Sequence, residues 1–211
     1  MIVVQEAFGV NDHLRDVTER FAAHGYYAVA PELFHRNGSP EIPYDNLAEA
    51  MTFVAQLNSD DIDSDLSGAA NFLGDAGFSP ESIGIVGYCM GGTVSFYAAT
   101  TGIVGAAASF YGSGIAEGRF GFPPLIELAA TLRADWIGLY GDLDQNIPVD
   151  QVEALRVATA ESRFDTQIVR YPGAQHGFHC DGRPAVFNAA AAADAAERTL
   201  DFFSAHLCDK Q

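Results

Sequence analysis

Cys89 stands in Gly87-Tyr88-Cys89-Met90-Gly91-Gly92, directly after the apolar run Ile83-Gly84-Ile85-Val86. Strand, Gly-x-nucleophile-x-Gly, then helix is the layout of a nucleophile elbow, with sulfur in the attacking position. A thiolate at such a turn can attack a carbonyl carbon and hold the acyl group covalently. The turn forces a strained backbone on the nucleophile, so its neighbours must be small, and Gly87 and Gly91 meet that need. A helix predicted over Met90 to Thr101 would aim its free N–H groups and positive dipole end at the sulfur, favouring thiolate. Taken alone, the same motif also fits a buried structural thiol in a strand-to-helix loop.

A catalytic elbow requires an acid and then a His further along the chain. Trp136-Ile137-Gly138-Leu139-Tyr140 reads as a buried strand, and Gly141-Asp142-Leu143-Asp144 follows it. Gln167-Ile168-Val169-Arg170-Tyr171 reads as the next strand, followed by Pro172-Gly173-Ala174-Gln175-His176-Gly177-Phe178. Each candidate lies just past the carboxyl end of a strand, where ligand sites of open parallel sheets form. His176 would take the thiol proton and later activate water. The acid would hold the imidazole in the right tautomer and stabilise its charged form. Asp142 and Asp144 both qualify, and spacing does not separate them.

The elements that must position these groups alternate between strand and helix, as in a mostly parallel sheet covered on both faces. Strands are predicted at Met1–Gln5, Tyr26–Ala30, Ser82–Gly87, Gly105–Phe110, Asp135–Tyr140 and Thr166–Tyr171. Helices are predicted at Asn11–Ala23, Leu47–Leu57, Asp63–Asp75, Met90–Thr101, Val149–Glu161 and Pro184–Leu207. Leu14, Val17 and Phe21 share one face of the first helix. The Ala-rich run from Ala189 to Ala196 has high helix propensity, and Phe187, Leu200 and Phe203 are expected to dock that helix on the sheet. No internal repeat or linker interrupts the pattern, so residues 1–211 read as one α/β domain. Phe34–Tyr44 is the least regular stretch and a candidate rim, and Gly112–Pro124 is a second loop placed to shape a pocket.

The 211 residues are 48% hydrophobic, enough for a substantial core. No apolar stretch approaches the roughly 20 residues that span a bilayer, and the start lacks the basic region of a signal peptide. Three widely scattered Cys (Cys89, Cys180, Cys208) give no disulfide framework and suggest a reducing, cytoplasmic setting. With 11 Lys and Arg against 28 Asp and Glu, the formal charge is −17. Nucleic acid and anionic membranes both want a basic face, so neither is an expected partner. His13, His24, His35, His179 and His206 show no metal-ligand spacing, so no metal is expected. Cys180 and Cys208 read as inert thiols.

Several segments together resemble the dienelactone hydrolases (carboxymethylenebutenolidases): Glu6-Ala7-Phe8-Gly9-Val10-Asn11, Gly25–Leu33, the Cys89 motif, Tyr140-Gly141-Asp142-Leu143-Asp144-Gln145-Asn146-Ile147-Pro148, and His176-Gly177-Phe178. The resemblance runs through nearly the whole chain. It implies an α/β-hydrolase fold, a Cys-His-Asp triad and no metal or organic cofactor. Matched by position, Cys89 is the nucleophile, Asp144 the acid and His176 the base, leaving Asp142 to serve its turn. The backbone N–H groups of Ala7 and Met90 would form the oxyanion hole. Glu6, at the end of the first strand, would contact Cys89 at rest and keep it protonated by like-charge repulsion; its alternative is a strand-end cap. Phe8, Phe34, Tyr88, Tyr111 and Phe178 are candidates for apolar walls, or else ordinary core.

The chain departs from the family in two respects. The resemblance implies two arginines for a substrate carboxylate, but one position is Cys180 and the other falls in Pro43–Asp63, which has no Arg or Lys. Arg36, Arg119 and Arg183 are possible substitutes that read as surface residues. A neutral small ester or lactone is therefore the expected substrate. The chain also begins at what reads as an inner strand, without the antiparallel strands that the resemblance implies before it; either it is a shortened form or its start lies upstream, and a homodimer or a loop would cover the edge. Competing readings are acyl transfer to an acceptor other than water, and a non-hydrolytic thiol protein, either a redox sensor or a ligand-binding pseudo-enzyme.

Overall fold

The computed structural model describes residues 1–207; Cys208 lies outside them. Five strands, β1 (Ile2–Val4), β2 (Gly84–Tyr88), β3 (Ala106–Phe110), β4 (Asp135–Gly141) and β5 (Thr166–Tyr171), form one sheet in that spatial order. Every pairing in it is parallel. Residues of β1, β2 and β3 are buried throughout, which is why they read as unbroken apolar runs rather than alternating ones. β5 at the edge is only partly covered.

The Tyr26–Ala30 strand does not form as expected. Only Val29 reaches the sheet, bridging Ile2 in parallel, with Val3 N–H donating to Val29 O at 2.8 Å and Val29 N–H to Met1 O at 2.9 Å. Pro31 follows one residue later and has no N–H to extend the ladder. The bridge still matters topologically. The chain leaves β1, passes outside it at Val29, and returns to its other side as β2. The winding direction thus reverses between β1 and β2, and ligand sites of α/β sheets gather at the carboxyl ends flanking such a switch point.

The helices are α1 (Asp12–Ala23), α2 (Leu47–Val54), α3 (Ser59–Asp75), α4 (Met90–Thr101), the short α5 (Leu125–Leu128), α6 (Val149–Thr159) and α7 (Ala189–His206). Several start on an Asn cap. Asn11 accepts from Leu14 N–H at 3.2 Å and Asn188 from Ala191 N–H at 3.1 Å, relieving orphan first-turn donors. The Asn188 cap explains why α7 begins at Ala189 and not at Pro184. Likewise Asn58 caps at Asp61 N–H (3.0 Å), starting α3 at Ser59, before the expected Asp63. The C-termini of α2 and α6 fall short of Leu57 and Glu161, and α5 was not anticipated. A Cβ on Gly84 would meet Phe203 of α7, and one on Gly87 would meet Gly91 of α4. Positions an odd number apart on a strand face opposite ways, so α7 covers one face and α4 the other. Phe21 of α1 packs edge-on to Phe203, ring centroids 6.2 Å apart, placing α1 beside α7.

The tightest packing is at the β2–α4 turn. Cys89 has φ 56° and ψ −118°, a conformation that costs about 1–3 kcal/mol for a residue with a Cβ. Its N–H donates to Phe110 O at 3.0 Å. A Cβ on Gly87 would overlap the Gly91 carbonyl, and one on Gly91 would lie 2.5 Å from Val4 O and 2.7 Å from Gln5 O. The start of α4 therefore touches the end of β1, and only glycine permits it. Gly87→Ala should lower stability by about 3 kcal/mol, the upper end of overpacking costs because backbone must move; urea unfolding measures it, and an unchanged midpoint would refute the packing argument.

Candidate active site

Three loops at the carboxyl ends of the strands bring the candidate residues together. Cys89, partly exposed, tops β2. Asp144 follows β4, and His176 follows β5. His176 Nδ1 lies 2.7 Å from Asp144 Oδ2. The other oxygen, Oδ1, accepts from Asn146 N–H at 2.8 Å, so the buried carboxylate is held from both sides. Asp142 is otherwise engaged: its two oxygens accept from Arg170 Nε and Nη2 at 2.7 and 2.8 Å. Arg170 thus occupies Asp142, which serves an ion pair and not merely its turn, while Asp144 is the acid that meets His176.

Burial works against a charged His176, but the negative charge of Cys89 and hydrogen bonding to Asp144 and Cys89 outweigh it, raising the imidazole to about 10. Sulfur, imidazole and carboxylate therefore interact as one unit. Among the described residues, the N–H groups of Ala7 and Met90 have no hydrogen-bond acceptor, though both residues are buried. Buried donors without partners are rare in folded proteins. Met90 is the first residue of α4, and Ala7 follows the end of β1 by three residues.

The sequence matches the model of the dienelactone hydrolase family over residues 1–207. The chain belongs to that family. It is 37% identical over 216 residues to a Synechocystis protein named "Putative carboxymethylenebutenolidase", covering 98% of this chain and 86% of the relative. A Yersinia pestis protein of the same name is 35% identical over 209 residues, covering 98% and 78%. A crystal structure from Klebsiella pneumoniae, titled "Putative Dienelactone Hydrolase", superposes with a TM-score of 0.86 at 34% identity, covering 96% of this chain and 85% of that one. This family member is accordingly a hydrolase with an α/β-hydrolase fold. No helix among the described residues is long and apolar enough to cross a membrane, and among them no three His, Cys, Asp or Glu side chains converge as a metal site.

Glu6 is only 5% exposed, and its Oε1 accepts from Tyr111 OH at 3.1 Å while Oε2 has no partner. Its recorded hydrogen bond is thus to Tyr111, not to Cys89. Tyr111 carries φ 41°, another strained residue at the site, and its ring lies 5.0 Å from that of His176. The five expected wall aromatics are buried to within 3% exposure. Phe178 and Tyr111 pack on each other at 5.3 Å, Tyr88 on Phe110 at 4.7 Å and Phe8 on Tyr44 at 4.8 Å. Phe34 packs on Phe53 at 5.7 Å, and no described ring contact joins it to the site. These rings back the site from the core rather than lining an open wall.

The three candidate arginines divide. Arg36 pairs with Asp65 at 2.8 Å and Asp61 at 3.1 Å, and Arg119 donates to Ser113 Oγ at 2.8 Å. Arg183 lies over the Phe8 and Tyr44 rings at 5.4 and 5.9 Å. Cys180 is buried, 3.3 Å from Tyr44 OH; burial, then the charge of Glu6, push its thiol up to about 11, which keeps it protonated and unreactive.

Sequence reading missed the role of His179. It is buried between Tyr88 and Phe110, ring centroids 5.0 Å from each, and burial lowers its pKa from 6.5 to about 3. The unfolded chain binds a proton below pH 6.5 that the folded state refuses, so stability falls as pH drops from about 6.5 and levels off near 3. Each unit in that window is worth about 1.4 kcal/mol at most. His179→Phe should flatten the fall in unfolding free energy between pH 6.5 and 4; an unaltered slope would contradict the assignment.

Proposed function

We propose that the protein hydrolyses small, uncharged esters or lactones through an acyl-enzyme on Cys89. Cys89 Sγ, its proton already held on His176 Nε2, attacks the carbonyl carbon as a thiolate. The carbonyl π electrons move to oxygen, and the N–H groups of Ala7 and Met90 bind the resulting oxyanion. The intermediate collapses, His176 protonates the departing alkoxide, and a thioester remains. His176 then deprotonates a water that attacks the thioester; collapse of the second intermediate releases the acid and leaves the Cys89 thiolate beside protonated His176. Asp144 keeps Nδ1 protonated and stabilises the imidazolium throughout. In a lactone the departing alkoxide stays tethered to the acyl group.

The observation that carries this reading is the 2.7 Å bond between His176 Nδ1 and the buried Asp144. It leaves Nε2 free for sulfur and water, which a mere redox thiol would not need. Membership of the dienelactone hydrolase family supports the reaction class. The preference for uncharged substrates rests on a −17 chain in which Cys180 and the Arg-free segment stand where the family resemblance implies carboxylate-binding arginines. A carboxylate in so acidic a setting needs a cation.

A panel of short-chain p-nitrophenyl esters and a dienelactone tests both parts. Ester turnover should fall at least 1000-fold in Cys89→Ala and His176→Ala, because triad members act as a unit. Turnover of the neutral esters should exceed that of the dienelactone in kcat/KM. Efficient dienelactone turnover abolished by Arg183→Ala would overturn the charge preference, and esterase activity surviving Cys89→Ala would overturn the mechanism.

A further inference from the structure

The segment that carries His176 continues through Gly177, Phe178, His179 and Cys180 to Asp181. Three of its backbone hydrogen bonds are local turns: Phe178 N–H to Gln175 O at 3.2 Å, Cys180 N–H to Gly177 O at 2.9 Å and Arg183 N–H to Cys180 O at 3.1 Å; a fourth, from Asn188 N–H to Phe178 O at 3.0 Å, ties it to the start of α7. Turns of this kind fix local shape but not the position of the loop relative to the sheet. Side chains supply the rest of its placement. Phe178 is fully buried and supplies one anchor. His176 is held by Asp144 and Cys180 meets Tyr44 OH, and a further anchor is a polar latch to α1. Asp181 Oδ1 lies 2.9 Å from His13 Nδ1, and Oδ2 accepts from Arg20 Nη2 at 3.1 Å. Arg20 also pairs with Asp16 one turn earlier on α1.

We infer that Asp181 is a positioning residue, whose bonds to His13 and Arg20 of α1 set the reach of His176 toward Cys89. The inference rests on His176 being the catalytic base. Its force comes from what α1 is attached to. Asn11 caps α1, and the chain enters it from β1 through Glu6-Ala7-Phe8-Gly9-Val10, the segment that offers the Ala7 N–H. A carboxylate joining α1 to the His176 loop therefore joins the oxyanion side of the site to the base side. His13 is the rigid member: its side chain is only 5% exposed, and its ring lies 5.8 Å from that of His179 on the same loop. Burial of His13 and His179 lowers the number of positions the loop can adopt. Arg20 and Asp181 are each about half exposed, so their pair contributes little to global stability. Loss of the latch should then register in the placement of the base more than in unfolding.

Steady-state kinetics with a p-nitrophenyl ester, paired with melting temperatures, tests the inference. Asp181→Ala should lower kcat about 10- to 100-fold, the range expected for a misplaced catalytic group, with KM within twofold and the melting temperature nearly unchanged. Asp181→Asn keeps an oxygen acceptor and should recover most of kcat. Adding His13→Ala to Asp181→Ala should cost no further kcat, since both break one contact. Arg15→Ala, which removes an ion pair from the same helix to Glu41, should leave kcat alone. The inference is overturned if Asp181→Ala keeps kcat within twofold of wild type, or if its loss merely tracks a fall in melting temperature shared by Arg15→Ala. His176→Ala assayed alongside separates the two claims: full activity there removes the base assignment itself, whereas an inactive His176→Ala with an unaffected Asp181→Ala removes only the latch.

Discussion

The approach of the start of α4 to the end of β1 is the contact on which the rest of the site depends. Without side chains at Gly87 and Gly91, the first turn of α4 comes within van der Waals overlap distance of the Val4 and Gln5 carbonyls for any larger residue. This contact brings the turn that carries Cys89 against the end of β1, although the two are far apart in sequence. It also obliges Cys89 to adopt a left-handed φ. The strain is held in place by strands buried on both faces, which leave the elbow no direction in which to relax.

Electrostatics supplies the second layer. In a chain with more than twice as many acidic as basic residues, the few cations are placed with consequence. Arg170 occupies Asp142 with two hydrogen bonds and reaches Glu153 at 2.8 Å, leaving Asp144 for His176. Asp144 is buried and receives the Asn146 N–H, so its carboxylate is satisfied without solvent. Glu6 brings another buried negative charge toward the site, and its effect is visible on its neighbours: after burial itself, it is the next cause raising Tyr111 and Cys180.

Much of this was legible in the sequence, and for definite reasons. The elbow could be read because its glycines answer a steric demand that few other turns make. β1 to β5 could be read because strands buried on both faces are runs of apolar residues bounded by breakers. The fold class and family followed from several such segments in order. Other features depended on distance in space. Val29 makes one bridge where a strand was expected, because Pro31 and the brevity of β1 limit the ladder. Asn58 and Asn188 moved helix starts by satisfying first-turn donors, a choice that apolar spacing does not record. Spacing did not separate Asp142 from Asp144, and only the family resemblance chose Asp144; the ion pair of Asp142 with Arg170, 28 residues beyond it, shows only in space. The wall aromatics were correctly picked as apolar, but apolar pattern does not tell a ring that backs a site from one that faces it. His13 and Asp181 lie 168 residues apart, and no local signal joins them.

The central claim is that the acyl group passes through a covalent bond to Cys89. The most direct measurement is intact-protein and peptide mass spectrometry after acid quench within the first turnovers of a slowly hydrolysed ester. The account predicts a mass increase equal to the acyl group, confined to the peptide containing Cys89 and removed by hydroxylamine as a thioester should be. Full turnover with no adduct on any quench time, or an adduct on another residue, would contradict it.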